Sequence, residues 1–406
     1  MAISSRPVVG LTALALVASL GLSACSSKKS NASAGSSASS SSCGTIPSNS
    51  PSDPDGVLAA LPSSVKTLYN GYPTAVYKSA FASWKPSSTS NKTVGFLLSE
   101  TNNGYQLALA AILSGMLKSA GYTVDEVTSS DEVTDQVADF NQMVEQKVAM
   151  IVYEPLSSSA FTTAVSNAAS ADIPSISLLN SVGSADTINV GANDWLQGAQ
   201  MAQYVAKEIN GAGKVLDVHG ISGVGIDTAT YAGAKAVFAG CSGITTDDTI
   251  YDQFADSTAK SAVQTYLETH PQRIAAALTS GAGATGVLEG FQAAGKTVPI
   301  IANDSLEDGE LAYWYQNKSS YNGVGITATP PQLASATLAL VQALFKGEGV
   351  KVSAVVLNTP LVTNANVADW YTSSMTTSST GNASGPSSLD VLPTSELNEL
   401  LSNPGS

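Results

Sequence analysis

From residue 93 onward the chain alternates two kinds of segment. Short apolar runs, of which Thr93-Val-Gly-Phe-Leu-Leu-Ser99 is the first, read as parallel strands buried on both faces. The longer stretches between them carry apolar residues at helical spacing. The pattern predicts strands over 93–99, 123–127, 148–153 and 175–179, and helices over 105–120, 131–147 and 157–171. Gly121 stops the first helix as a C′ residue, and Asp131 is the expected cap of the second. The rhythm then runs a second time. Helices over 193–209, 228–239, 257–269 and 282–294 alternate with strands over 214–219, 244–251, 274–278 and 299–302. The phrase Ser119-Ala-Gly-Tyr-Thr-Val124 returns as Ala293-Ala-Gly-Lys-Thr-Val298. The expected fold class is α/β, with two Rossmann-like lobes of parallel strands flanked by helices.

The ends follow other patterns. Arg6 precedes an apolar run over 8–22, and Leu22-Ser-Ala-Cys25 closes it. A positive start, an apolar core and small residues before a cleavage point describe a secretory signal over 1–24. The run is short of the roughly 20 residues that span a bilayer. Its last four residues resemble the lipobox of bacterial lipoproteins, which implies cleavage before Cys25 and a diacylglycerol on its sulfur. Residues 25–54 follow as a Ser-rich tether with little to bury. A helical lead-in over 55–90 carries Tyr69, Tyr72 and Trp84 for docking onto the body. Residues 364–406 form a polar tail, with a last short helix over 395–401 that either docks or stays free.

Composition removes several classes of function. The 406 residues carry a net charge of −14, which argues against nucleic acid as a partner. Two His and three Cys without CxxC spacing leave too few ligands for a zinc or iron–sulfur site, and neither a metal nor a cofactor is expected. Once Cys25 is lipidated, Cys43 and Cys241 remain, and an exterior location permits a disulfide between them or two free thiols. No GxSxG elbow is present, and Ser222 near His219 is not a triad, so the protein is not read as an enzyme. The run Gly220-x-x-Gly223-x-Gly225 lacks both dinucleotide and P-loop spacing and reads as a bending loop.

In open α/β sheets the ligand lies outside the carboxyl ends of the strands. The loops there hold hydroxyls, amides, carboxylates and aromatics, with no Arg and no Lys. The motifs then fall in a familiar order: Ser99-Glu-Thr-Asn-Asn-Gly-Tyr105, Ala149-Met-Ile-Val-Tyr-Glu-Pro155, Ala171-Asp-Ile-Pro174, Val190-Gly-Ala-Asn-Asp194, His219-Gly-Ile-Ser-Gly223, Thr269-His-Pro271 and Ala293-Ala-Gly-Lys296. In that order and spacing the chain resembles the ribose-type (type I) periplasmic binding proteins over about 93–362. The resemblance implies two lobes joined by a three-crossover hinge. Residues 91–192 with 326–356 would form one lobe, and 193–325 with 357–363 the other. The crossovers fall near 191–193, 325–328 and 356–358. The DNA-binding helices of the related repressors have no counterpart, since the lipoprotein signal stands in their place.

Carried over residue by residue, the resemblance marks Ser99, Asn103 and Tyr105 in the first loop, Phe254 as an aromatic cover and Asp304 as a hydroxyl acceptor. Glu154 stands where the family often has Asn or Asp before Pro, and Asn180 and Asp227 lie on facing loops. Leu179-Asn180 replaces the family's Asp-Arg pair, Thr228 and Thr230 replace arginines, Ser280-Gly281 replaces Asn-Asp, and Ala328 replaces a crossover Gln. Trp195 is open between cleft wall and packing. The implied function is that of the extracytoplasmic solute receptor of an ABC importer, delivering a neutral sugar or polyol to a membrane permease. A cationic compound stands second as ligand. The alternative function is a lipoprotein that presents its solute to a sensor. The expected protein is a monomer anchored to the bacterial cell membrane through lipidated Cys25.

Overall fold

The computed structural model describes residues 42–99, 104–130 and 132–405. Strands β1 (Thr93–Ser99), β2 (Thr123–Ser129), β3 (Met150–Tyr153), β4 (Ser175–Leu178), β5 (Ile188–Gly191) and β11 (Ala354–Val356) form one sheet in the order β11-β5-β4-β3-β1-β2. All its pairings are parallel. Strands β6 (Ala212–His219), β7 (Gly243–Tyr251), β8 (Ile274–Thr279), β9 (Ile300–Asn303), β10 (Val324–Ile326) and β12 (Leu361–Val362) form the second, in the order β12-β10-β9-β8-β6-β7. Only β10 with β12 is antiparallel there. The first five strands of each lobe follow the same order, as the repeated rhythm of the sequence foretells, and the lobes differ in the direction of the sixth.

The apolar runs become central strands because they bury both faces. In β1, Val94, Phe96 and Leu98 pack on one side of the sheet and Leu97 on the other. In β6, Val215 faces one core of the second lobe while Leu216 and Val218 face the other. The outer strands β2 and β7 are largely exposed and rich in Asp, Glu and Thr, which discourages pairing with another chain.

The helices in chain order are α1 (Ser63–Lys66), α2 (Gly104–Ser119), α3 (Val133–Glu145), α4 (Thr162–Ser170), α5 (Asp194–Glu208), α6 (Gly225–Phe238), α7 (Asp256–Thr269), α8 (Ala284–Ala293), α9 (Asp308–Asn317), α10 (Pro330–Phe345) and α11 (Thr394–Leu400). Two of their starts mark changes of lobe. Asn193 Oδ1 accepts from Leu196 N–H at 3.2 Å and caps α5, where the chain leaves the first sheet. Thr329 and Gln332 form a capping box with Pro330 in the first turn of α10, where it returns. A third passage runs from β11 to β12. β5, α9, α10 and the strands β10 to β12 had no assigned place in the sequence pattern; β10, β11 and β12, of two or three residues each, are too short to stand out.

Both terminal segments differ from expectation. Residues 42–54, read as the end of a flexible tether, lie on the body. Cys43 is bonded to Cys241, and Ile46 packs on the second lobe. The bridge settles the choice the sequence left open. The tail is polar on average, yet its few apolar residues are buried. Trp370 and Met375 enter a core with α9, and Leu392, Leu397, Leu400 and Leu401 enter the core of the first lobe. Hydrophobic burial depends on where each side chain lands rather than on mean composition. Tyr69, Tyr72 and Trp84 are buried in the first lobe's core.

Candidate functional site: the interlobe cleft

Loops that follow the strands of the two sheets meet: Asn180, after β4, approaches Gly225, after β6, and Glu154, after β3, and Asp304, after β9, both act on Tyr105. On the first lobe, β1 ends at Ser99; Asn103 lies outside the described residues, as does Cys25. Tyr105, in the first turn of α2, does not stand free as a stacking surface. Its hydroxyl donates to the Ala328 carbonyl at 2.5 Å, beside the second crossover, and its ring packs on the lobe's core. Burial pushes its pKa up, and the carboxylates Glu154, Asp194 and Asp304 around it push in the same direction.

Glu154 follows β3 and is buried. Its Oε1 accepts from Gln106 Nε2 at 2.8 Å, while Oε2 has no partner among the described residues. Desolvation raises its pKa to about 7, and the Gln106 donor only partly offsets this. The loop behind it is rigid. Buried Gln136 donates to Glu154 O at 2.7 Å and accepts from Leu156 N–H at 2.9 Å. Asn180 follows Leu179, which has φ 61°. Its Nδ2 donates to Pro155 O at 3.1 Å, and its Oδ1 lies across the cleft, 3.7 Å from where a Cβ on Gly225 would sit.

On the second lobe the backbone holds the carboxylates. Asp304, after β9, accepts from Gly281 N–H at 2.5 Å and from Thr230 Oγ1 at 3.3 Å. Burial raises its pKa to about 7 against those two donors. Asp227, read from sequence as a loop carboxylate, lies in the first turn of α6 with both oxygens engaged. Oδ1 accepts from Gly220 N–H at 2.8 Å, and Oδ2 meets His219 Nδ1 at 2.9 Å. It orders the loop that the glycines would otherwise leave free. Burial works against the His219 imidazolium, yet the neighbouring Asp227 lifts its pKa above the ordinary value.

Phe254 sits at φ 56°, held by an Asp252 Oδ1 that accepts its N–H at 2.7 Å. Its ring covers Gly220 and Gly281 so closely that a Cβ at Gly220 would fall 1.8 Å from it. Glycine at both places is what admits the ring. Two further hydroxyls, Ser280 Oγ and Ser305 Oγ, are buried without a partner among the described residues, just past the ends of β8 and β9.

Three residues escaped the sequence reading. Asp194, at the start of α5, has its pKa raised by burial and by Asp304. It closes the motif Val190-Gly-Ala-Asn-Asp194, the one sequence signal that could have drawn attention to it. Tyr72 and Pro73 come from the lead-in, yet they line a cavity of about 500 Å³ together with Gly223, Gly225 and Thr228 of the second lobe. Trp195, left open above, is buried in the second lobe and packs against Gly71.

Two facing lobes of like topology, three crossings and a polar cleft between the strand ends define a two-lobed receptor for a small solute. Residues 94–349, more than half of the chain, match the periplasmic binding protein domain, and the chain belongs to that family. The family consists of binding proteins rather than enzymes, and membership implies an extracytoplasmic location. The chain is 25% identical over 264 residues to the ribose import binding protein of Salmonella typhimurium, covering 64% of this chain and 86% of that one. Among solved structures it is similar to an ABC transporter solute-binding protein of Mycobacterium smegmatis with bound glycerol, with a TM-score of 0.63 at 18% identity over 72% of this chain and 100% of that one. An ABC transporter periplasmic solute-binding protein of Actinobacillus succinogenes with bound D-allose gives a TM-score of 0.60 at 19% identity over 68% of this chain and 99% of that one.

Proposed function

We propose that the protein is the solute receptor of an ABC importer and binds a neutral sugar or polyol between its lobes. The observation that carries this reading is the chemistry of the cleft. Its loops offer carboxylates, amides and hydroxyls, and no Lys or Arg stands on any of them. A carboxylate or phosphate ligand is usually gripped by an Arg fork or a Lys, and its charge would meet Glu154, Asp194 and Asp304. Hydroxyl groups suit the same acceptors, with Glu154 Oε2, Ser280 Oγ and Ser305 Oγ unpartnered among the described residues. The ribose, glycerol and D-allose named for the similar proteins belong to the same chemical class.

Ser99, Asn103, Glu154, Asn180, Phe254 and Asp304 are the proposed ligand-facing set, with Tyr105 as a brace to the second crossover and Asp227 as organiser of the His219 loop. The lobes are proposed to close on the ligand about the three crossovers. A lipidated Cys25 would hold a monomeric receptor at the outer face of the cell membrane, near its permease.

A thermal-shift screen of residues 42–406 against sugars, polyols, nucleosides, sugar phosphates and small amines tests the reading. Ligand at about 100 times Kd stabilises by about 2.7 kcal/mol, so a binder is visible as a raised Tm. Hits confined to sugar phosphates or dicarboxylates would contradict it. For the anchor, a Cys25→Ala protein is expected to remain unprocessed or to be shed; normal processing and retention would refute lipidation at that residue.

A further inference from the structure

We propose that the two terminal segments form a clasp across the hinge that limits how far the cleft opens. Each segment is fastened to both lobes, and between them they bond to all three crossovers.

The lead-in begins on the second lobe. Cys43 is linked to Cys241, Gly44 O accepts from Gln203 Nε2 at 2.9 Å, and Ile46 packs beside α5 and α6. It is then stitched to itself, so that little slack remains. Asn49 N–H donates to Asn70 Oδ1 at 2.8 Å, Gly71 N–H to Asn49 O at 2.6 Å, and Asn70 Nδ2 to Pro47 O at 3.1 Å. At that stitch it holds the first lobe, through Tyr69 Oη to Ala354 O and Tyr72 Oη to Ser181 Oγ, both 2.7 Å. The same turn lies on the second lobe. Gly71, at φ 74°, rests on the Trp195 ring so closely that a Cβ would fall 2.0 Å from it. Asn193 Nδ2, at the first crossover, donates to Leu68 O at 2.8 Å and to Asn70 O at 2.9 Å.

The tail makes a second crossing, also from the second lobe to the first. Residues 381–383 add a short ladder to the loop after Asp304. Asp308 N–H donates to Gly381 O and Ala383 N–H to Leu306 O, each at 2.9 Å, and Asn382 Nδ2 donates to Ser305 O at 3.1 Å. Gly381 also faces the first lobe across the cleft, its Cα 3.4 Å from where a Cβ on Gly104 would stand. The tail next meets the second crossover, where Thr329 Oγ1 donates to Ser384 O at 3.0 Å, and the third, where Asn358 N–H donates to Val391 O at 2.8 Å. Leu392, Leu397, Leu400 and Leu401, further along, lie in the first lobe's core.

A hinge of three crossovers opens by small dihedral changes in those passages. Here any large rotation also has to break the Gly71–Trp195 and Tyr72–Ser181 contacts or strip the ladder from residues 305–308. The clasp therefore favours the closed arrangement before ligand arrives. Apparent affinity scales with the population of the binding-competent state, so a protein with its clasp released binds more weakly although no ligand contact has changed.

The test needs no ligand at its first stage, so it stands or falls separately from the sugar reading. Spin labels at Lys118→Cys on the first lobe and Glu268→Cys on the second report the interlobe distance by pulsed electron resonance. Two releases are compared with the parent: Cys43→Ser/Cys241→Ala for the lead-in and Asn382→Ala for the tail. Each is expected to lengthen and broaden the ligand-free distribution and to weaken binding of the best sugar or polyol by about fivefold. Asn382→Ala removes one surface hydrogen bond, so it reports even where loss of the disulfide prevents folding. Distributions that match the parent in every folded release would overturn the clasp.

Discussion

The two cleft faces hold their carboxylates in different ways. On the second lobe, Asp304 and Asp227 take backbone N–H donors from Gly281 and Gly220, and Glu307 takes two more from Gly283 and Thr285. On the first, among the described residues, Glu154 has one side-chain donor, Gln106, and one oxygen without a partner. Backbone donors are fixed by the fold, whereas a side-chain donor can move. The comparison teaches that the second lobe presents a preorganised acceptor, while the first keeps an adaptable one.

The largest effect should come from breaking the preorganised side. Asp304→Ala removes an acceptor for ligand hydroxyls and leaves Gly281 N–H and Thr230 Oγ1 without one, at about 1–3 kcal/mol for each buried group left unpaired. Calorimetry with the best sugar or polyol is expected to show at least about tenfold weaker binding. Glu154→Ala should cost clearly less. Equal losses would end the distinction between the faces.

Proton linkage comes next. Glu154 and Asp304 have pKa values raised to about 7, and Asp252 and Glu310 to about 8, in each case chiefly by burial. A carboxyl group whose folded pKa is raised gives stability that is complete below the unfolded value near 4 and is lost as pH rises through the folded value. The ligand-free protein is therefore expected to melt at least about 4 °C lower at pH 8 than at pH 5.5. A Tm that is flat or rises over that interval would remove the buried-carboxylate account.

Glu154→Gln sharpens the comparison at smaller cost. Gln keeps an acceptor for Gln106 and has no proton to lose. The variant should equal the wild type below pH 5 and exceed it by about 1 kcal/mol at pH 8, as urea unfolding would measure. No gain at pH 8 would mean that Glu154 is not penalised by its site. The smallest change is expected for Asp227→Asn, whose role is to order the His219 loop. Proton NMR should show a lower His219 pKa, while binding changes by less than about twofold. A loss as large as that of Asp304→Ala would make Asp227 a ligand contact.

Much of the body was legible in the sequence because its signals are local. Apolar runs such as 93–99, the stop at Gly121 and the repeated helix-to-strand phrase each act within one turn or one strand. Asp304 and Phe254 could be marked because they follow strands, where an α/β sheet places its ligand. What Tyr105 does was not legible. Its hydroxyl is bound to Ala328, which is 223 residues away, and no spacing in the first loop encodes that distance. Asp227 looked like a free loop carboxylate for the same reason. Its engagement depends on how α6 meets the end of β6, and a string of letters does not show this.

The alternation of buried strands and helices was thus determined by the sequence itself, because secondary structure and lobe topology follow from periodicity and short connections. The lipobox-like start and the cleft without Lys or Arg are also properties of the sequence alone. Only the tertiary structure decided that residues 43–46 dock on the second lobe and the polar tail on both, and that Cys43 meets Cys241 across 198 residues. A handful of apolar side chains can dock a polar segment when the folded body already offers a surface for each of them, and that surface exists only after distant parts of the chain have come together.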